Sequence, residues 1–353
     1  MNLKELTIEG YKSIGKITIS NPNPFTVFVG PNASGKSNIF EAIELLALCS
    51  VIKPSDAIKL FGSSDDLFNQ SNALNELNEP TYIDVKAMFE GSSSNQVVTD
   101  LFIRNESPIF VIAENKEIVP TQDGWSIGRS NTYHDNLLGG ETLEFRQFVN
   151  FTRLFVGQPS RLRKIDDSRM STYEYKQSNL EKALKRILKD ENKREEIYEI
   201  LQLLIPGFER VEITSSELSG RDDMLIYEAH LKKPLTKEFI SDGTFNIISI
   251  LAALYQSDEP QFLCIEEPEN GINPFVVKEL VNIIRDICEE KGHYVWLNTH
   301  SQSLVSVLTK EEIIIVEKKN GLTEIKQIPD MNLHGLRMDD ALYTNSIGGG
   351  NPW

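Results

Sequence analysis

Cysteine is scarce in this chain. Cys49, Cys264 and Cys288 are the only three in 353 residues, and their spacing matches no metal-ligand pattern. Buried, structural thiols are the expectation. Long apolar runs are missing as well, since none reaches the roughly 18 residues that a membrane span needs. The opening MNLKELTIEGYKSIG alternates apolar and polar residues and carries no leader-like apolar segment. A cytoplasmic protein without membrane contact is therefore expected. Positive charge is in deficit, with 36 Lys and Arg against 52 Asp and Glu and a formal net charge of −16. That balance argues against coating nucleic acid non-specifically, which rests on many contacts from basic side chains to phosphates. A local basic groove, and with it nucleic acid as a partner, stays open.

What is present begins with a hairpin-like alternation, Leu3, Leu6, Ile8 and then Ile14, Ile17, Ile19. PFTVFVG follows as a short buried strand, and GPNASGKS comes directly after it. The next residues, NIFEAIELLAL, are apolar at helical spacing. Strand, glycine loop and helix form the context that a phosphate-binding loop requires. Gly30, Pro31, Asn32, Ala33, Ser34, Gly35, Lys36, Ser37 and Asn38 make up this candidate nucleotide cradle. Gly30 and Gly35 allow backbone N–H groups to face phosphate oxygens, and the helix adds its positive end. Lys36 is placed to reach the β- and γ-phosphates of ATP, and the Ser37 hydroxyl to ligate Mg²⁺.

The middle of the chain reads differently. Residues 81–120 hold strand-like runs broken by Gly, Ser and Asn, which suggests an antiparallel β-lobe. Between 61 and 80 the chain is polar and turn-rich, a loop with short helical pieces. Residues 178–206 are helical and densely charged, with Leu180, Leu184, Ile187 and Leu188 on one face, then Ile197, Ile200, Leu201 and Leu204. Pro206 and Gly207 end this helical insertion. Arg161, Arg163 and Lys164, with Lys182, Lys185, Arg186 and Lys189, make either a basic strip or a solvated face of Glu/Lys pairs.

FISDGTFNIISILAAL opens a further apolar helix with a Ser-Asp-Gly-Thr turn, which in isolation is only a helix cap. FLCIEEPENGINP is a buried strand running into two adjacent glutamates at its C-terminal edge, where ligands bind in parallel α/β sheets. A nucleotide with its Mg²⁺ would supply the positive charge those carboxylates lack. Glu266 is then placed to hold the metal, and Glu267 to orient or deprotonate a water attacking the γ-phosphate. An amphipathic helix and a second apolar strand, HYVWLNTHS, bring His300 to the same edge. Of five histidines it alone has that context.

These motifs, in this order, resemble the ABC-type ATPases, and within them the branch of RecF, SMC and OLD-family proteins. LTIEGYKSIGKITI is similar to that branch's N-terminal strand. FISDGTF, CIEEPENGINP, NTHSQSL, LIPGFERVEI and LYTNSIGGGNPW resemble small bacterial AAA-type ATPases with OLD-like heads, many associated with anti-phage defence. The resemblance covers nearly the whole chain. It implies an α/β P-loop NTPase, a single ABC-type head over 1–353, with a mixed central sheet, the antiparallel lobe and the helical insertion. The nucleotide core halves fall at 1–50 and 240–330. It also implies a homodimer, or a higher oligomer built on it, with ATP sandwiched between heads. Ser241 and Gly243 would then touch the γ-phosphate of the opposite subunit, and Asn270, Gly271 and Ile272 would cross the dimer axis. Lys12 stands where the family has a basic residue near the nucleotide.

Departures from the family pattern shape the functional expectation. Glu266 replaces the usual Asp, and Thr244 stands where many relatives have Gln. Gln147 and Gln158 are the candidates for the Gln that links the lobes. The long coiled-coil arms of SMC proteins are missing. OLD proteins proper continue into a TOPRIM nuclease, but only about 50 residues follow His300 here. An effector nuclease would be a separate chain. The resemblance thus implies an ATPase that regulates such an effector in bacterial defence. A RecF-like repair ATPase that clamps DNA, or a scaffold that binds ATP with negligible turnover, are the alternatives.

Overall fold

The computed structural model describes residues 2–62, 64–69, 82–90, 96–104, 107–114, 118–121, 124–127, 150–156, 162–164, 180–215, 222–333 and 335–349. Its centre is a seven-stranded mixed sheet in the order β10-β9-β14-β15-β3-β16-β17. Five neighbouring strands are parallel: β9 (Phe151–Phe155), β14 (Phe262–Glu266), β15 (Tyr294–Thr299), β3 (Phe25–Val29) and β16 (Ile313–Lys319). The antiparallel strands β10 (Leu162–Lys164) and β17 (Leu322–Gln327) close the two edges. β3, β14 and β15 are buried along their whole length. Strands of a parallel sheet are covered on both faces, so they read as unbroken apolar runs rather than alternating ones.

Side-chain parity divides the core in two. Leu263, Ile265, Val295 and Leu297 face a cluster formed with α3 (Glu191–Leu204), α4 (Asp242–Tyr255) and α5 (Pro274–Lys291). Phe262, Cys264, Trp296 and Phe151 face the other way, toward α1 (Lys36–Cys49) and a second sheet. That second sheet is antiparallel, in the order β2-β1-β4-β5-β6, with β1 (Asn2–Glu9), β2 (Lys16–Ser20), β4 (Tyr82–Glu90), β5 (Gln96–Arg104) and β6 (Ser107–Glu114). The N-terminal hairpin thus forms its strand ladder with β4, from Asn2 opposite Glu90 to Glu9 opposite Asp84, and touches the parallel strand β15 through the Leu3 N–H on the Tyr294 hydroxyl at 2.8 Å. Short pairings join β7 (Ile118–Thr121) to β8 (Gly124–Ile127). β11 (Phe208–Ser215), β12 (Asp222–Glu228) and β13 (Leu235–Thr236) form a three-stranded sheet.

The charged helical stretch is two helices rather than one: α2 (Leu180–Ile187) and then α3. Asp190 starts α3, its carboxylate accepting from the backbone N–H of Asn192 at 3.1 Å and Lys193 at 3.3 Å. An Asp that satisfies the free N–H groups of a first turn favours a new helix start over continuation. All three cysteines are free and buried. Among the described residues, no helix is long and apolar enough to cross a membrane.

Candidate functional site

Strand pleating determines which groups meet. Residues two apart share a face of a strand, so Glu266 continues the side of Phe262 and Cys264, and Asn298 continues the side of Trp296. Arg153 shares its side with Phe151. All three therefore point under α1, which follows the phosphate loop at the end of β3. Glu266 and Asn298 are directly paired in the β14–β15 register, and Arg153 is opposite Cys264, one step away on the other side.

The loop itself is sharply turned. Ala33 has φ 61 and Gly35 φ 105, and Gly35 caps α1 without a side-chain hydrogen bond. A Cβ at Gly35 would strike the Thr323 hydroxyl, so both conformation and close approach require glycine there. Thr323 lies in β17 and donates to the Ser34 carbonyl at 2.9 Å. It also meets the Ser13 hydroxyl at 2.7 Å, which accepts from Asn38 Nδ2 at 2.7 Å. The loop is thus braced from behind by the β1–β2 turn and the closing hairpin. Lys36 Nζ folds back to donate to the carbonyls of Gly30 at 2.7 Å and Pro31 at 2.9 Å. Burial lowers its pKa, and the nearby Glu267, Glu266 and Glu269 work in the opposite direction.

Ser37 Oγ donates to Glu266 Oε2 at 2.6 Å, joining the phosphate loop to the acidic string across 229 residues of sequence. The other oxygen of Glu266 accepts from Arg153 Nε at 2.8 Å and also from its Nη2. Arg153 Nη1 donates to Glu44 Oε2 at 3.0 Å, and Nη2 to the Ser37 carbonyl at 3.2 Å. Only 2% of this arginine is exposed. The sequence offered a bound metal as the counter-charge for the acidic string; the fold already supplies a guanidinium from its own chain. Burial works against that charge, but Glu266 and Glu44 outweigh it and raise the pKa further.

Glu267 takes the other direction at the strand end. Its backbone is left-handed at φ 52, uncommon for a side chain with a Cβ and a form of stored strain. Its carboxylate lies 3.8 Å from His300 Nδ1, both groups about half exposed. Glu269 is half-buried, and its desolvation raises its pKa. It accepts from Thr299 Oγ1 at 2.6 Å, while its Oε2 has no partner.

The signature residues lie on α4. Ser241 caps it by accepting from Thr244 N at 3.1 Å. A Cβ on Gly243 would come within 2.5 Å of the Gly271 carbonyl oxygen, and Asn246 Nδ2 donates to the Asn270 carbonyl at 2.7 Å. Signature and Asn270–Gly271–Ile272 loop are therefore one packed unit. Lys12 is ion-paired with Glu41 of α1, which also accepts from Tyr11. Lys185 pairs with Asp222 at 2.9 Å, and Arg186 donates to the Gln256 carbonyl at 2.8 Å. Gln147, Gln158 and Arg161 lie outside the described residues, as do the side chains of Arg163 and Lys164.

Sequence reasoning singled out Lys36, Ser37, Glu266, Glu267 and His300, and the fold brings them to one sheet edge. It passed over Arg153, Glu44, Asn298, Ser13 and Thr323. The available signal for the first three was a polar residue inside an apolar run, which when buried must find a partner. A hydroxyl and a carboxylate are hard oxygen donors, and two such protein ligands suit Mg²⁺ that shares phosphate oxygens and water. Buried in the loop, the Ser34 hydroxyl has no partner, and the first N–H groups of α1 have none within the helix, so the cradle fits an anionic ligand.

Fold and phosphate loop together are those of a P-loop ATPase domain. The chain belongs to the family described as "AAA domain, putative AbiEii toxin, Type IV TA system", whose model matches residues 25–306. It is 19% identical to an ATP/GTP phosphatase of Helicobacter pylori, over 96% of this chain and 93% of that protein. It is 42% identical to the chromosome partition protein Smc of Halothermothrix orenii over 90 residues, 24% of this chain but only 7% of that protein. The solved Smc head bound to the C-winged helix domain of ScpA superposes with a TM-score of 0.62 at 16% identity, covering 95% of this chain and all of that one.

Proposed function

We propose that the chain binds and hydrolyses ATP with Mg²⁺, closes as an ATP-sandwich homodimer, and by closing regulates a separately encoded effector, a nuclease in bacterial anti-phage defence. The observation that carries the catalytic part is the Ser37–Glu266 contact beside the Glu267–His300 pair. On this reading those contacts would put a metal-ligating group, a base and a polarising imidazole beside one phosphate loop. Lys36 would exchange its two loop carbonyls for phosphate oxygens. Ser37 and Glu266 would hold Mg²⁺, which when bound neutralises phosphate charge. Glu267, half exposed and held at a fixed backbone angle, would take the proton from an attacking water, and His300 would hydrogen-bond the γ-phosphate.

The dimer is supported by what the signature face leaves open. Phe239, two residues before Ser241, is 76% exposed, and Phe275, two residues after Asn273, is 80% exposed. Apolar groups beside an exposed helix start suit burial against a second copy. The effector reading draws support from the family description, which names a putative AbiEii toxin and a Type IV TA system.

Glu267→Gln is the test. Hydrolysis is expected to fall about 10²- to 10⁴-fold, while ATP still binds and a dimer accumulates by size-exclusion light scattering. Equal turnover in wild type and variant would remove Glu267 from its role. ATP-dependent, salt-sensitive DNA binding would instead favour a repair clamp, and binding without turnover in wild type a scaffold.

A further inference from the structure

The last three residues at the end of β15 and just beyond it each touch a different glutamate of the Glu-Glu-Pro-Glu string. Thr299 donates to Glu269, and His300 sits beside Glu267. The Asn298 side chain reaches three partners at once. Its Nδ2 donates to Glu266 Oε2 at 2.6 Å and lies 3.4 Å from Ser37 Oγ, while its Oδ1 accepts from the backbone N–H of Glu267 at 3.0 Å. The same N–H also reaches the Asn298 carbonyl at 3.1 Å. Asn298 is 2% exposed.

We infer that Asn298 is a positioning residue, a clasp that sets the two adjacent glutamates at their different angles. The inference rests on the proposed ATPase reading. A carboxamide carries a donor and an acceptor on two separate tip atoms without charge, so it can serve two partners in different directions, which a single hydroxyl oxygen on a shorter stem cannot span. Only one amide orientation serves here, because the flipped group would set its carbonyl against a carboxylate and its NH₂ against an N–H. Aspartate would keep the acceptor for Glu267 but add a negative charge against Glu266. Leucine, of similar size, would offer neither. The donor arm fixes the Glu266 oxygen that Ser37 also touches, so it bears on the metal ligands. The acceptor arm supports the left-handed turn that points Glu267 out of the strand and toward His300. Both arms come from one side chain placed by register, since Glu266 and Asn298 are direct neighbours in the parallel pair.

Asn298→Leu and Asn298→Ser separate this from a packing role. The Glu267 N–H keeps the residue-298 carbonyl in both, so melting temperature is expected to stay near that of wild type. Affinity for a fluorescent ATP analogue in EDTA is expected to change less than twofold. The gain in affinity on adding Mg²⁺ is expected to shrink at least fivefold, and kcat to fall at least tenfold with KM for ATP within about twofold. If the leucine variant does not fold, the serine variant, too short to span both partners, carries the same expectation. An undiminished magnesium gain with kcat within twofold of wild type overturns the inference and leaves the proposed function standing. Wild-type protein that binds ATP but does not turn it over still tests the clasp through the magnesium gain. Absence of ATP binding in wild type overturns the proposed function and the inference with it.

Discussion

Around Arg153, at the end of the parallel sheet, Glu41, Glu44 and Glu266 gather about one buried guanidinium. In the antiparallel sheet, Asp84 and Asp100 are also buried or nearly so, but there the acids mainly have each other. They share a side-chain hydrogen bond, and the Oδ1 of each has no partner. Among the described residues no basic side chain comes within ion-pair distance of either aspartate. The first cluster sets its carboxylates around a fixed guanidinium, so that negative oxygens are gathered where a divalent cation could join them. The second resolves the same conflict with a proton: burial first, and Asp84 next, push the Asp100 carboxyl up to about 8. An acidic cluster at a strand end is ready for a metal only when something cationic already holds it apart.

Breaking the first cluster should have the largest effect on stability. Arg153→Met would leave Glu44 and Glu266 buried and short of their counter-charge. Removing one partner of a buried ion pair typically costs about 3–5 kcal/mol. A fall in the urea midpoint at unchanged slope measures it. A loss under about 1 kcal/mol would mean that water already screens the cluster, and Arg153 would then be no more than a surface-grade pair.

Arg153 also marks how far the sequence could be read. The phosphate loop, the acidic string and the strand-terminal His300 were legible because each is local: a few residues whose types and order dictate a turn, a strand end or a helix start. The five parallel strands were legible in part, since unbroken apolar runs such as FLCI and YVWL declare double-sided burial. Contacts between distant segments were not legible. Arg153 and Glu266 are 113 residues apart, and only the β9–β14 register makes them neighbours. The same holds for the N-terminal hairpin, whose alternation shows that it is half-buried but not that β4 is its partner. Pattern reports which face of a strand is covered; register decides what covers it.

The opposite substitution, in the second cluster, should stabilise. Asp100 is protonated in the folded state up to about pH 8, whereas in the unfolded chain it ionises near 4. Its folded pKa is raised, so the unfolded state binds fewer protons between those limits. The contribution of Asp100 is then fully present below about pH 4 and is lost as pH rises through 8. Asp100→Asn keeps a donor for Asp84 and cannot ionise. At pH 9 it is expected to gain about 1–3 kcal/mol over wild type, the scale of relieving a buried unsatisfied polar group. At about pH 3.5, where the aspartate holds its proton in the fold and mostly in the unfolded chain as well, the two proteins should melt at nearly the same temperature. Thermal melts at the two pH values decide it. If the asparagine variant is destabilised equally at both, Asp100 is ionised in the fold, a cation holds it, and the two acidic clusters are built alike after all.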